Sequence, residues 1–402
     1  MKKIKIPILN YYLYTLLLIV TPFLMLQNYL QQAIGDASRA SIDIGFIRIP
    51  YVLIIALLVL FLFFYLSRKI LTKRRFLFLG IIVVFFAIGQ LTSDYYFNHH
   101  FYDLQHNWHY IAYGIFAYIA YRRFSLKSKP LYKILFKIFY MALLISVFDE
   151  YIQIHISSRV FDLSDVAKDL WGNMIGIIFI CFYIDDGKGL PNFKFRQKRI
   201  KEYFTNPFSL ICLEMIFAYI FLFVSSQITD IKYTNYVIFI TLLAFLFLFM
   251  LLYLGKNPVL RWVIRSVFII LISYILFGVY FSSPHIKYVK PGQINYNGIP
   301  LMYFDYMIFP SGGFRTVDKK ETFGYRDKQK IENMNFDILL IGTGSKNQGG
   351  KGWNDLKITE MVYSPFSKGV YQIIKLPNQQ ACETYNRLSK QEKKTLFIIH
   401  NQ

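Results

Sequence analysis

PFSLICLEMIFAYIFLFVSSQITDIKYTNYVIFITLLAFLFLFMLLYL, residues 207–254, holds two apolar runs, 207–226 and 235–254, parted by a short polar break. Each run is about 20 residues long, the length a helix needs to cross a hydrocarbon core of about 30 Å. One carboxylate, Glu214, sits inside the first run. Working outward, further apolar runs fall near 9–27, 49–66, 76–92, 109–121, 138–152, 170–183 and 262–281. The pattern predicts a polytopic α-helical membrane protein of about nine spans, followed by a small C-terminal α/β domain. Composition agrees: 55% of the 402 residues are hydrophobic, 19% aromatic and only 17% charged, whereas a soluble chain carries about a quarter charged residues.

A net charge of +21 taken alone would suit nucleic acid. Its distribution argues otherwise, and no nucleic-acid partner is expected. Basic residues gather in alternate gaps between the runs: Lys2, Lys3 and Lys5; Arg68 to Arg75; Arg122 to Lys133; Lys188 to Lys201; Lys256, Arg261 and Arg265. The intervening gaps hold only Arg39, Arg48, Arg159, Lys168 and Lys232. This is the positive-inside pattern. It predicts a multi-pass protein of the cell membrane with a cytoplasmic N-terminus and, with nine spans, an extracytoplasmic C-terminal domain. Lys2–Lys5 precede an apolar run that no small-residue cleavage site follows, so the first run is expected to stay as an anchor.

The chain divides by composition into an accessory two-span anchor (1–75), four spans with polar outer loops (76–185), a basic cytoplasmic linker (186–206), three further spans (207–284) and a tail (285–402). The tail has no spanning run and carries 17 basic and 10 acidic residues. Phe336–Ile341, Val370–Ile374 and Thr395–Ile399 read as strands, and Gln379–Leu388 has helical spacing.

Polar residues concentrate in the second block, where they are costly unless used. The run near 138–152 ends in Asp149-Glu150-Tyr-Ile-Gln153, with Asp149 and Gln153 on one helical face. Beyond Arg159 and Asp162, Ser164 reads as an N-cap and Asp165 suits the positive end of the next helix. Along that helix Asp165, Asp169 and Asn173 share a face, and Gly172 and Gly176 form a GxxxG pair that permits close helix contact. His109 opens the run near 109–121, with Tyr113 one turn on. These residues are the candidate ligand-binding set: His109, Asp149, Glu150, Gln153, Arg159, Asp165 and Asp169. Arg159 would pair with carboxylates or hold an anionic head group through its fork, and His109 would carry a proton. A solvated loop with capping residues is the plainer alternative.

In that order and spacing, His109, Asp149-Glu150-x-x-Gln153, Arg159, Asp165 and the Gly172/Gly176 helix resemble the VanZ-like family over about 76–185. Members of that family commonly carry Asn four residues after the Asp that opens the last helix; here the position is Asp169. The resemblance implies a membrane protein linked to glycopeptide-antibiotic resistance, a cell-envelope theme rather than a reaction. In the tail, Asp337-Ile-Leu-Leu-Ile-Gly342-Thr-Gly344 followed by Ala381-Cys382-Glu-Thr-Tyr385-Asn386-x-Leu388 resembles the Mth938-like family over about 292–402. That family, which includes a mitochondrial complex I assembly factor, implies a small α/β interaction or assembly module. Its members are usually intracellular, which conflicts with the placement the span count gives.

Weaker signals complete the reading. His99, His100, His106, His109 and His155 cluster at span ends, yet without tight ligand spacing, so interfacial hydrogen bonding is expected and no metal. Gly342–Gly344 with Gly349, Gly350 and Gly352 lacks the Gly-Lys-Ser/Thr of a P-loop and reads as a structural turn. Cys181, Cys212 and Cys382 imply no disulfide, and Cys382 has no base beside it. No cofactor is expected. The expected partners are a membrane lipid or lipid-linked envelope precursor for the pocket and a protein for the tail. As an enzyme, the alternative is an acid–base hydrolase or transferase with Asp149 or Glu150 as base and His109 as acid.

Overall fold

The computed structural model describes residues 7–24, 40–44, 47–93, 104–126, 129–155, 161–190, 193–195, 197–228, 233–255, 257–278, 284–302, 304–317, 323, 331, 334–344, 349–351, 360–364 and 369–401. They form two compact units, one of residues 1–226 with 234–256, the other of 227–233 with 257–402.

In the first unit every apolar run of the sequence falls on a helix: α1 (Ile8–Leu24), α2 (Tyr51–Ser67), α3 (Lys73–Ser93), α4 (Leu104–Phe124), α5 (Leu131–Gln153), α6 (Leu163–Ile178), α7 (Ile200–Thr205), α8 (Pro207–Gln227) and α9 (Thr234–Leu254), α7 being a short interposed helix. A hairpin of β1 (Ser41–Ile44) and β2 (Ile47–Pro50) precedes α2. A π-helical turn, Phe179–Ile184, prolongs α6. Among the described residues five helices are long and apolar enough to cross a membrane: α3, α5, α6 with its π-turn, α8 and α9. α2, at 17 residues, measures about 25 Å.

At the two extremes, burial follows composition. α9 is almost wholly apolar and mostly exposed on the unit's surface, as a lipid-facing helix should be. α6 is the least apolar of the five and the most buried, enclosed by its neighbours. That position lets it hold Asp165, Lys168, Asp169 and Asn173 away from lipid. α4 packs directly on α6 because Gly172 and Gly176 present no side chains there. A Cβ at Gly176 would stand 2.7 Å from the Gly114 carbonyl oxygen, and one at Gly172 would stand 2.7 Å from Tyr110 Cα. Trp171 Nε1 donates to the Phe85 carbonyl of α3 at 2.9 Å, and the Tyr14 hydroxyl of α1 donates to the Ala112 carbonyl of α4 at 2.9 Å.

The second unit contains α10 (Pro258–Leu276) and the tail. The tail is a six-stranded mixed sheet, ordered β7 (Phe314–Val317), β6 (Asp305–Ile308), β11 (Thr395–Ile399), β8 (Ile338–Gly342), β10 (Gly369–Leu376), β9 (Glu360–Ser364). The central β11, β8 and β10 run parallel, and the outer strands pair antiparallel. β3 (Ile286–Lys290), β4 (Gln293–Tyr296) and β5 (Ile299–Met302) make a separate meander. β8 and β11 are buried at every residue, which is why they read as unbroken apolar runs. α11 (Asn378–Lys390) crosses from β10 to β11, burying Ala381, Cys382, Tyr385 and Leu388 on the core. Asn386 ties it to β3 by bonds to both the N–H and the carbonyl of Ile286, each 2.7 Å. The α/β reading and its strands and helix match what is observed.

Such a core predicts autonomous folding. Residues 284–402 expressed alone are expected to unfold in one cooperative thermal transition, with slow hydrogen exchange along β8 and β11. A non-cooperative transition with fast exchange in β8 would overturn this.

Candidate functional site

The site is built where α6 begins. Asp162 holds an extended backbone and its carboxylate accepts from the Ser164 N–H at 2.7 Å. The N-cap is thus Asp162, not Ser164 as the sequence suggested; a carboxylate suits the positive end of the macrodipole better than a hydroxyl. Asp165 follows in the first turn, as expected. One turn on, the buried Lys168 reaches back to Asp165, Nζ to Oδ1 2.7 Å.

Asp169 is the centre of the arrangement. It is 1% exposed, and both its oxygens are used. Oδ1 takes His109 Nδ1 of α4 at 2.9 Å, and Oδ2 takes the Ser146 hydroxyl of α5 at 2.6 Å. The other imidazole nitrogen, Nε2, lies 3.7 Å from Asp165 Oδ1, beyond hydrogen-bond length. Three helices therefore converge on one buried carboxylate.

A second group lies at the end of α5. The buried Glu150 accepts from Gln153 Nε2 at 2.6 Å and from the Asp162 N–H at 3.1 Å, closing the gap between α5 and α6. Gln153 also meets Asp149, at 3.5 Å, and the other Asp149 oxygen is buried with no partner among the described residues. Asp149 lies within electrostatic reach of Asp169, His109 and Asp165. The structure thus gathers His109, Asp149, Glu150, Gln153, Asp165 and Asp169. Arg159 lies outside the described residues. Asn173, on the Asp165–Asp169 face, is fully buried with neither amide atom partnered among the described residues.

Two members escaped the sequence reading as site residues. Ser146 stands four and seven residues before Glu150 and Gln153, a helical polar stripe that was there to be seen. Lys168 reads from sequence as one of the few outer cations, but it is buried and paired with Asp165.

The chemistry open to the cluster follows from its bonds. The Nδ1–H of His109 donates to Asp169, which fixes the ring and leaves Nε2 to accept a proton or, once protonated, to donate one. Ser146 donates to the carboxylate, not to the imidazole, so the three do not form a nucleophile–base–orienter chain. Among the described residues no group of three or more His, Cys, Asp or Glu side chains is placed to hold a metal ion. Of the other histidines, His99 and His100 lie outside the described residues, and the exposed His155 ring meets Tyr151.

Elsewhere, Glu214 of α8 is buried with no partner for either oxygen among the described residues. In the tail, His400 Nδ1 bonds Asp305 Oδ2 at 2.8 Å, and Asp305 Oδ1 accepts the Asn401 N–H at 2.9 Å. A side chain at Gly349 would overlap the His400 ring, so that glycine serves packing. Gly344 and Gly350 hold φ of 81° and 78°, the turn conformation that favours glycine. Burial pushes the Cys382 thiol up to about 12, which leaves it protonated and unreactive at neutral pH.

Comparison with protein-family models, with curated proteins and with solved structures gives no match for this chain.

Proposed function

We propose that this chain is a multi-pass cell-envelope membrane protein whose pocket at the start of α6 binds the polar head of a lipid-linked envelope precursor or glycopeptide. The observation that carries the reading is the Asp169 junction: a buried carboxylate that orients His109 from a second helix and binds Ser146 from a third. Polar groups assembled so closely between apolar helices are functional by default. Carboxylates outnumber cations here, which suits a ligand rich in hydroxyls and amines, while its anionic group would fall to Lys168, His109 and Arg159. The VanZ-like resemblance points to the same theme. The charge alternation favours nine crossings, a cytoplasmic N-terminus, an outward pocket and an extracytoplasmic tail. The tail, with its inert Cys382 and its Mth938-like motif, serves as a protein-binding module.

The acid–base hydrolase or transferase reading is favoured by one feature, the free Nε2 of an imidazole held by a carboxylate. One experiment separates the two. Purified protein in lipid nanodiscs is titrated with a lipid-linked cell-wall precursor, and product is followed at the same time. Saturable binding without product, weakened about 10-fold or more in His109→Ala through loss of a charge-assisted bond, supports the binding reading. Product that disappears in Glu150→Gln supports the enzyme. Neither binding nor product rejects both.

A further inference from the structure

About 21 Å along α4 from His109, α1, α4 and α5 line a partly open pocket of about 200 Å³, with Lys129, Lys133 and Lys137 exposed at its rim. Taking about 30 Å³ per water, it has room for about seven waters or one small head group. Four cations line it: Arg123 from the last turn of α4, Lys129 from the connection, and Lys133 and Lys137 from α5. None of the four has a carboxylate partner among the described residues.

Arg123 suits the negative end of the α4 macrodipole, but along α5 the concentration of charge is locally unfavourable. Lys133 and Lys137 stand four residues apart on one helical face, where like charges repel. They lie in the first two turns of α5, at the positive end of its macrodipole. That end has Pro130 as N-cap, no side-chain cap and no acidic residue in its first turn. The aromatic wall is ordered by packing: Tyr11 of α1 meets Phe124 with centroids 5.5 Å apart, and Lys137 Nζ sits 4.2 Å over the Phe124 ring. The Tyr11 hydroxyl is buried with no hydrogen-bond partner among the described residues. On the flank, Ile8 and Tyr12 of α1 are exposed apolar surface.

We infer that this pocket is a binding site for the phosphodiester head group of an anionic phospholipid, its acyl chains lying along the exposed face of α1. The anion supplies the charge partner that the four cations lack, and the Tyr11 hydroxyl donates to a phosphate oxygen. A basic pocket between membrane helices at the head-group level is the physical form such sites take. The apolar flank selects a lipid over a free anion. This site is separate from the Asp169 cluster and does not depend on the function proposed for it.

The test is native mass spectrometry of the full chain released from micelles doped with phosphatidylglycerol or with phosphatidylcholine of the same acyl chains. The wild type is expected to retain phosphatidylglycerol at least 10-fold over phosphatidylcholine, as four unpaired cations against one extra negative charge require. A Lys133→Gln/Lys137→Gln variant should fall to the phosphatidylcholine level. A Lys69→Gln/Lys73→Gln variant, which removes two exposed cations outside the pocket, should retain the lipid like the wild type. Equal retention of the two lipids by the wild type overturns the proposal, whatever the variants do. So does equal loss in both double variants, which would mean diffuse surface charge. Uptake of inorganic phosphate with no phosphatidylglycerol would show that the site takes a free anion, and would overturn it too.

Discussion

An Asp169→Ala variant is expected to unfold about 3 kcal/mol or more below the wild type, whereas Asp169→Asn should stay within about 1 kcal/mol. Asp169 is almost fully buried and accepts from His109 at 2.9 Å and Ser146 at 2.6 Å. Alanine removes both acceptors and strands a fully buried hydroxyl and a part-buried imidazole. Each bond to a charged group contributes about 1.5–3 kcal/mol, and the stranded partners keep their desolvation penalty. Asparagine fits the same space. Its carbonyl can take the His109 Nδ1–H, and its amide can donate to Ser146 once the hydroxyl rotates. What asparagine lacks is the charge that stabilises a protonated His109, so folding should survive while ligand affinity falls. Chemical denaturation in detergent, paired with the precursor titration, reads both effects. If alanine and asparagine unfold alike and near the wild type, Asp169 is not the junction of three helices that the geometry describes.

How much of this was legible beforehand differs by element. The run at 235–254 announces α9 because a lipid-exposed helix has no choice but to be apolar, and 207–226 is as legible although α8 is mostly buried by its neighbours. α6 was harder. Its apolar run reads as 170–183, yet the helix begins at Leu163, because its first two turns are polar and are covered by neighbouring helices rather than lipid. Helical spacing put Asp165 and Asp169 on one face but did not name what they face. His109 is 60 residues from Asp169, and only the α4–α6 contact brings them together. In the tail, β8 and β11 were visible as unbroken apolar strands buried on both faces. β3 to β7 and β9 went unnamed, being short strands with polar residues among the apolar, such as QINY and IKYVK. The Asp305–His400 bond joins residues 95 apart and follows from the pairing of β6 with β11, which no local pattern encodes.

Substitution at Gly172 is expected to harm both the fold and the site, whereas the same change at Gly80 or Gly114 should do neither. A Cβ at Gly172 would stand 2.7 Å from Tyr110 Cα, 2.9 Å from its carbonyl oxygen and 3.0 Å from that of His109. Ordinary contact begins at 3.4 Å, so α4 must retreat by 3.4 − 2.7 = 0.7 Å. These atoms are backbone and cannot turn aside as a side chain would. Overpacking of this kind typically costs about 1–3 kcal/mol. The displaced residues are His109 and its neighbour, so the retreat also stretches the 2.9 Å bond to Asp169. At 3.6 Å, were the whole shift to fall along it, that bond would no longer count as one. Gly176→Ala meets the Gly114 oxygen at 2.7 Å and should cost as much stability, but about 6 Å farther along α6, where His109 is less disturbed. Gly114 makes the comparison sharp. It belongs to the same contact, yet its own Cβ would come no nearer than 3.7 Å to the Gly172 oxygen, an ordinary approach. Gly80 has nothing within 4 Å. Both alanine variants should therefore stay within about 0.5 kcal/mol of the wild type. Denaturation midpoints for the four alanines, with precursor binding measured alongside, are expected to show Gly172 and Gly176 equally destabilised, binding weakened most at Gly172, and Gly114 and Gly80 neutral in both. Equal tolerance at all four positions would mean that α4 and α6 are not in contact through the glycine pair, and the Asp169 junction would fall with it.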